Sequence, residues 1–443
     1  MSIYKDCDIR GIYGVEFDCA TVYRIGRAIG AMMAGQRLAV GGDVRLSTPE
    51  IRRSLLRGLV QGGARPLDLG TLPTPAFYYA LSRMPFAGGV MITASHNPAR
   101  YNGLKLMFGP RPIQAEVIRE IKRRADAVQD TDEGPDPIVP VLDILPEYEN
   151  MLLRHFPAGR LKVVIDSGNG AMSEVAPRVF RQLGYQVVPL YCTFDGSFPN
   201  RDPNPAVYAH LRDLCQSVRE NGADLGLAFD GDGDRVVFVD NLGRTLASER
   251  SLVLLIQACL KGQPGPVVYD QKSSTIVRKA IEASQGTPLM ERSGHTFIKT
   301  RFLDTNALLA GEVSGHFFFR ELGYDDGLFA ALTMARLIGE QPEPLSELAD
   351  RIPVPLITPD IRVPCPYDRQ DVWLGQVRQL GRDYPINEMD GVRVEFGNGW
   401  LLVRKSVTEA GVTVRIEADS DAAMQRIKRL LLTVLPEVRD YLT

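Results

Sequence analysis

The sequence predicts an α/β protein of four domains: three similar mixed α/β sheet domains followed by an α+β C-terminal domain. Three observations predict it. The chain has 443 residues, more than one core of ordinary size organises, so two to four domains are expected. A strand, Gly/Asp turn, amphipathic helix and second strand recur three times, which is the signature of βαβ units. Beyond about Asp360 that pattern gives way to closely spaced strands and a terminal helix.

In the first unit, Arg37–Asp43 (R-L-A-V-G-G-D) is followed by a helical pattern over Thr48–Gly62 and a strand at Arg65–Leu69. The second runs from Leu161–Gly168 (L-K-V-V-I-D-S-G) through a helix at about Glu174–Leu183 to the strand Gln186–Leu190. The third opens on Pro266–Asp270 (P-V-V-Y-D), with a helix through Ser274–Ala283 and a strand near Thr287–Met290. The units lie about 100 residues or more apart, beyond solenoid periods, so they mark separate domains of one type. In the last part, Val392–Phe396, Trp400–Val403 and Val412–Glu417 read as strands and Ser420–Leu435 as a helix. That is a sheet with helices on one side. The Gly/Pro/Asp-rich stretch 130–140, the polar segment 241–248 and the Pro-rich 352–366 mark the boundaries. The expected domains are 1–145, 146–247, 248–357 and 358–443.

Hydrophobic residues make up 44% and charged residues 24% of the chain, as in ordinary globular proteins. A net charge of −3 and a pI near 6.1 argue against a nucleic-acid or anionic-membrane partner. Anion binding must then come from local clusters. The six cysteines (Cys7, Cys19, Cys192, Cys215, Cys259 and Cys365) form no C-x-x-C pair and no zinc spacing, as suits reduced thiols. The N-terminal residues are charged too early for a signal-peptide core. Apolar runs such as Leu252–Ile256 fall far short of the ~20 residues that cross a bilayer. A cytoplasmic protein is expected.

Five segments carry possible chemistry. Gly88–Pro98 (G-G-V-M-I-T-A-S-H-N-P) ends an apolar strand at Ile92 and exposes Ser95 in the loop that follows, where α/β sheets place ligand chemistry. Ser95 is either a nucleophile or a turn residue, since Ser, Asn and Pro all favour turns. The segment is not a G-x-S-x-G elbow. Asp230–Arg235 (D-G-D-G-D-R) crowds three carboxylates into one tight turn, and their repulsion calls for a cation. Oxygen-only ligands point to Mg²⁺ over zinc. An EF-hand is excluded, because Arg235 stands where Gly is required and Asn241 where Glu is required.

Gly311–His316 (G-E-V-S-G-H) and Arg292–Lys299 (R-S-G-H-T-F-I-K) place Glu, Ser, His and Lys on Gly-flanked turns, suited to sugar hydroxyls or to a structural loop. Three of five histidines, His96, His295 and His316, fall in such loops, which favours a site. Arg404–Thr408 (R-K-S-V-T) joins two strands and reads as a phosphate cradle or a plain hairpin turn. Asp166–Gly170 (D-S-G-N-G) lacks G-x-G-x-x-G and reads as a structural turn, and no P-loop occurs.

Together and in this order, the loops resemble those of the α-D-phosphohexomutase family over nearly the whole chain, closest to its phosphomannomutase/phosphoglucomutase members. The resemblance implies four domains around a central cleft, and an isomerase that moves phosphate between O1 and O6 of a hexose. It implies Ser95 as a phosphoserine, with Asp230, Asp232 and Asp234 holding Mg²⁺ together with a phosphoserine oxygen. Glu312 and Ser314 resemble the residues that grip the sugar's O3 and O4, and Arg404, Ser406, Val407 and Thr408 the phosphate loop. Asp8–Gly11 (D-I-R-G) places Arg10 by the phosphoserine, and Tyr101–Lys105 (Y-N-G-L-K) makes Lys105 a candidate general acid/base. His316 is the second candidate. Lys272 and His295 resemble substrate contacts, and Arg235 follows the metal loop as in relatives.

Three positions depart from the family pattern: Cys7 where dual-specificity relatives often have Tyr, Val407 in the phosphate loop, and Ala410 where Pro commonly follows. The resemblance further implies a hexose 1,6-bisphosphate as intermediate and activator, a phosphosugar as the partner, and a monomer or homodimer. Phosphoglucosamine mutase, or a phosphosugar-binding regulator without turnover, is the alternative.

Overall fold

The computed structural model describes residues 2–442 other than Asp6, Pro110, 130–134 and 407–409. Its strands form four sheets, in chain order. The first runs Ile9–Ile12, Tyr101–Phe108, Gly88–Ile92, Arg37–Gly42, Arg65–Thr71, with Arg111–Pro112 paired to the second of these. Arg37–Gly42 is parallel to both neighbours, and the strands beyond Gly88–Ile92 are antiparallel. The second sheet runs Val236–Asp240, Leu225–Phe229, Lys162–Asp166, Gln186–Leu190, and the third Thr287–Glu291, Pro266–Asp270, Leu309–Gly311, Phe317–Phe319, Tyr324–Asp325. Both repeat the plan of parallel strands with an antiparallel edge. The three strand–turn–helix–strand units read from the sequence are the parallel parts of these sheets.

The fourth sheet is antiparallel throughout, built on Gly399–Lys405 against Gly411–Ala418 and Val392–Glu395. The terminal helix covers Asp421–Val434, and the Ser420 side chain caps it by accepting from Ala423 N. One expectation is corrected here. The turn R-K-S-V-T was expected to begin at Arg404, but Arg404 and Lys405 are still paired in the strand, opposite Thr413 and Val412. Val407 and Thr408 lie outside the described residues.

Strands such as Gly88–Ile92, Leu225–Phe229 and Val236–Asp240 are buried along their whole length, as continuous apolar runs covered on both faces must be. In the first sheet's helical layer, Cys19–Met32 and Thr48–Gln61 meet through glycines. A Cβ on Gly30 or Gly58 would run into the facing helix's backbone.

The cores divide differently from the sheets. One apolar cluster runs continuously from Phe77 of the first sheet's helix Thr74–Arg83 through Phe229 of the second to Phe329 of the third. The fourth sheet keeps a core of its own, around Val377, Leu401 and Ile427. Helix Gly327–Gly339 is buried nearly all round at the junction, and its cap Asp326 accepts from Leu328 N, Phe329 N and Tyr148 Oη. The first three sheets therefore hold their loop-bearing strand ends in a fixed relation. No helix among the described residues is long and apolar enough to cross a membrane.

Candidate active site

The loop after Gly88–Ile92 folds around an arginine that is remote in sequence. Arg45 is buried and donates through Nη2 to the carbonyls of Ser95 (2.7 Å) and Asn97 (2.6 Å). Its Nη1 reaches those of Pro98 (2.8 Å) and Tyr101 (2.9 Å). Its Nε pairs with Asp43 at 3.0 Å, and Asp43 also accepts from Thr93 and Thr48 hydroxyls. Phe198 of the second sheet's loops covers the guanidinium at 5.1 Å. Held this way, Ser95 adopts a left-handed conformation, with φ of 49°, uncommon for a residue with a Cβ.

Its hydroxyl donates to Asp230 Oδ2 at 2.8 Å, across 135 residues of sequence. Asp230, Asp232 and Asp234 leave the buried end of Leu225–Phe229 in a turn that Gly233 makes with φ of 79°. The three can bring one oxygen each within 4.8 Å of one another. Asp232 accepts from Thr74 Oγ1 (2.6 Å) and Lys105 Nζ (3.1 Å), and Asp234 from Lys105 Nζ (2.6 Å). The second oxygens of Asp232 and Asp234 are buried without a hydrogen-bond partner, that of Asp234 lying 3.9 Å from Arg235 Nε and 3.7 Å from His316 Nδ1. Burial, then the charges of Asp232 and Asp234, push the Asp230 carboxyl well above the usual range. Burial opposes the charge on Lys105, but Asp232 and Asp234 overcome it and hold the ammonium well above its usual pKa. Crowded, orphaned and all-oxygen, these ligands fit a hard divalent cation.

Arg235 ties three loops together. Its Nη2 reaches His96 Nδ1 (2.5 Å) and Ser95 Oγ (3.3 Å), and its Nε donates to His316 Nε2 (3.0 Å). Backbone bonding between Arg235 and His316 fixes the turn 312–316 against the metal loop. Behind it, Asp325 accepts from His316 Nδ1 at 2.8 Å and from His295 Nε2 at 3.0 Å. Arg10 approaches from the first strand and binds Asn97 Oδ1 at 2.7 Å, the residue two beyond the serine, and Asp8 at 2.5 Å.

Lys272 and Arg404 lie at the junction with the fourth sheet, both acting on Asp360. Lys272 Nζ pairs with Asp360 at 3.1 Å, and the charges of Asp270 and Glu312 also act on it. Ser314 Oγ is buried without a partner. Arg404 pairs with Asp390 at 2.7 Å, and Ser406 N closes its hairpin on Gly411 O at 2.9 Å. Among the described residues no hydrogen bond joins this group to Ser95. Sequence reasoning missed Arg45, Asp325, Asp360 and Asp390. Only the first two left a trace, in G-G-D-V-R after an apolar strand and in the paired Asp of Y-D-D-G.

Family models cover most of the chain: "Phosphoglucomutase/phosphomannomutase, alpha/beta/alpha domain I" over residues 1–132, domain II over 144–243, domain III over 247–355, and the C-terminal domain over 361–433. A phosphomannomutase/phosphoglucomutase of Pseudomonas putida is 39% identical, covering 99% of this chain and 97% of its own length. A phosphoglucomutase of Neisseria meningitidis is 36% identical, covering 98% and 96%. The crystal structure of a phosphoglucomutase/phosphomannomutase family protein from Burkholderia thailandensis superposes with a TM-score of 0.91 at 32% identity, over 99% of this chain and 97% of that one. Four domain models in order and relatives matched end to end leave one conclusion: the chain belongs to the phosphoglucomutase/phosphomannomutase family.

Proposed function

We propose that this chain is a hexose phosphate mutase that interconverts the 1-phosphates and 6-phosphates of glucose and mannose, carrying the transferred group on Ser95. One observation carries the residue assignment: the Ser95 hydroxyl lies 2.8 Å from Asp230 in a three-carboxylate cluster and 3.3 Å from the Arg235 guanidinium. A phosphoryl group there has cationic partners on one side and a cation site on the other.

The cycle starts from phospho-Ser95. The P–O bond to Oγ breaks as a bond forms to O6 of a hexose 1-phosphate. The O6 proton leaves the hydroxyl and the serine oxygen gains one, with Lys105 placed beside the carboxylates to hold or pass a proton. The bound 1,6-bisphosphate turns end for end, and Ser95 takes the phosphoryl group from O1 by the reverse step. Arg10 and Arg235 orient the transferring group, and positioning supplies most of the acceleration. Mg²⁺, when held by Asp230, Asp232 and Asp234, offsets charge on the transferring group. Glu312 and Ser314 grip the sugar. His295 receives its far side, and Lys272, Arg404 and Ser406, with Val407 and Thr408, the non-reacting phosphate. Asp360 and Asp390 hold Lys272 and Arg404 until that phosphate takes their place.

The test is conversion of mannose 1-phosphate, glucose 1-phosphate and glucosamine 1-phosphate side by side, primed with a 1,6-bisphosphate. Conversion of the first two without release of inorganic phosphate is expected. Net phosphate release, or turnover of glucosamine 1-phosphate alone, would replace this reading.

The cation site makes a separate prediction. Asp230→Asn removes one of three repelling charges, so the metal-free variant melts above the metal-free parent. The parent gains about 1.4–2.7 kcal/mol from Mg²⁺ at 10 to 100 times its dissociation constant, and the variant gains far less. Thermal melts with EDTA and with Mg²⁺ read both signs.

A further inference from the structure

Two imidazoles, His295 and His316, stand 4.9 Å apart between their ring centroids and share one buried carboxylate, Asp325. Which ring nitrogen carries each proton decides what each histidine can do. The surroundings determine both.

Arginine chemistry sets the tautomer of His316. The Arg235 Nε always bears a hydrogen and never accepts. It lies 3.0 Å from His316 Nε2, which must therefore present a lone pair. The proton of that ring is on Nδ1, and Nδ1 faces Asp325 at 2.8 Å. For His295 it is Nε2 that faces the same carboxylate, at 3.0 Å to both of its oxygens. A carboxylate accepts, so His295 carries its proton on Nε2 and presents Nδ1 as an acceptor. Burial disfavours a second proton on His295. The rings cannot rotate freely, because His295 stacks on Tyr78 at 6.5 Å and 17° and both pack against Phe318.

We infer that Asp325 is a positioning residue that fixes opposite tautomers on the two histidines, Nδ1–H on His316 and Nε2–H on His295. His316 then presents Nε2 as an acceptor engaged by Arg235, not as a proton donor. His295 offers an acceptor nitrogen, which selects a hydroxyl donor over a phosphate oxygen. The consequence for turnover rests on the mutase reading above; the tautomers themselves do not.

The experiment is nitrogen-15 NMR of histidine-labelled full-length protein, with signals assigned by His295→Gln and His316→Gln. Expected is an unprotonated Nε2 on His316 and an unprotonated Nδ1 on His295 at neutral pH. A proton on His316 Nε2 or on His295 Nδ1 overturns the inference in the parent protein, whether or not it is a mutase. The isosteric Asp325→Asn is the second arm. Its side chain offers one acceptor in place of two, so at least one histidine changes tautomer and kcat falls about 10- to 100-fold with KM changed less. Unaltered nitrogen shifts and kcat in a folded Asp325→Asn would equally overturn it.

Discussion

Replacing Ser95 with alanine is expected to lower mutase turnover at least about 10⁴-fold while leaving the fold intact. The loss follows from the proposed chemistry, since among the described residues the Ser95 hydroxyl is the one recorded bonding both Asp230 and Arg235. The intact fold follows from how the loop is held. Ser95 is anchored through its backbone, with N donating to Thr93 Oγ1 at 2.8 Å and O accepting from Arg45. Alanine keeps both bonds, and it meets the same restriction at a φ of 49° that serine does. The hydroxyl also supplies one of the bonds to Asp230, so its removal leaves that oxygen for a cation or a water. Intact-mass measurement of parent and variant after incubation with a 1,6-bisphosphate checks the assignment directly. Only the parent should gain the mass of a phosphoryl group. A phosphorylated or fully active Ser95→Ala variant would move the reaction to another residue.

Much of this site was legible because it is built from short loops at strand ends, and such loops announce themselves. An apolar run followed by Gly, Asp, Ser or His marks both the strand and the position where its carboxyl end meets a ligand. The runs 225–229 and 236–240 enclose D-G-D-G-D-R so tightly that its carboxylates could only be crowded. Distance in sequence hid the rest. G-G-D-V-R reads as an ordinary polar turn, and nothing local shows that its arginine reaches carbonyls 50 to 56 residues on. Asp325 reads as half of a helix cap, a role its neighbour Asp326 does fill. Asp360 and Asp390 are plain surface acids until the fourth sheet docks beside Lys272 and Arg404. The continuous core of the first three sheets was illegible for the same reason: periodicity reports which face of a helix is apolar, not which helix covers it. The strand at Gly399–Lys405 ran past its expected end because pairing with Gly411–Ala418 persists after the apolar residues stop.

Arg45→Met should damage turnover nearly as much as the loss of the serine, by a different route. The arginine's five donor hydrogens meet Asp43 and four carbonyls of the serine loop in a dry interior. Methionine fills much of the volume and supplies none of those hydrogens. Leaving Asp43 buried without its partner costs about 3–5 kcal/mol by itself, and each carbonyl left bare adds about 1–3 kcal/mol unless the loop opens to water. The loop therefore opens. Hydrogen exchange over residues 93–101 should rise to that of an exposed segment, the fourth sheet should stay protected, and turnover should fall by more than about 10³-fold, since a displacement of about 1 Å already costs 10²-fold. Two further variants separate geometry from charge. Arg45→Lys retains the cation, but its single ammonium has three donors and cannot span five acceptors, so it should recover stability without recovering full turnover. Asp43→Asn combined with Arg45→Met removes the stranded carboxylate and should be more stable than Arg45→Met alone, an interaction only a direct pair produces. Wild-type turnover in the lysine variant would mean that positive charge near Ser95, and not the forked geometry that shapes its loop, is what the reaction requires of this residue.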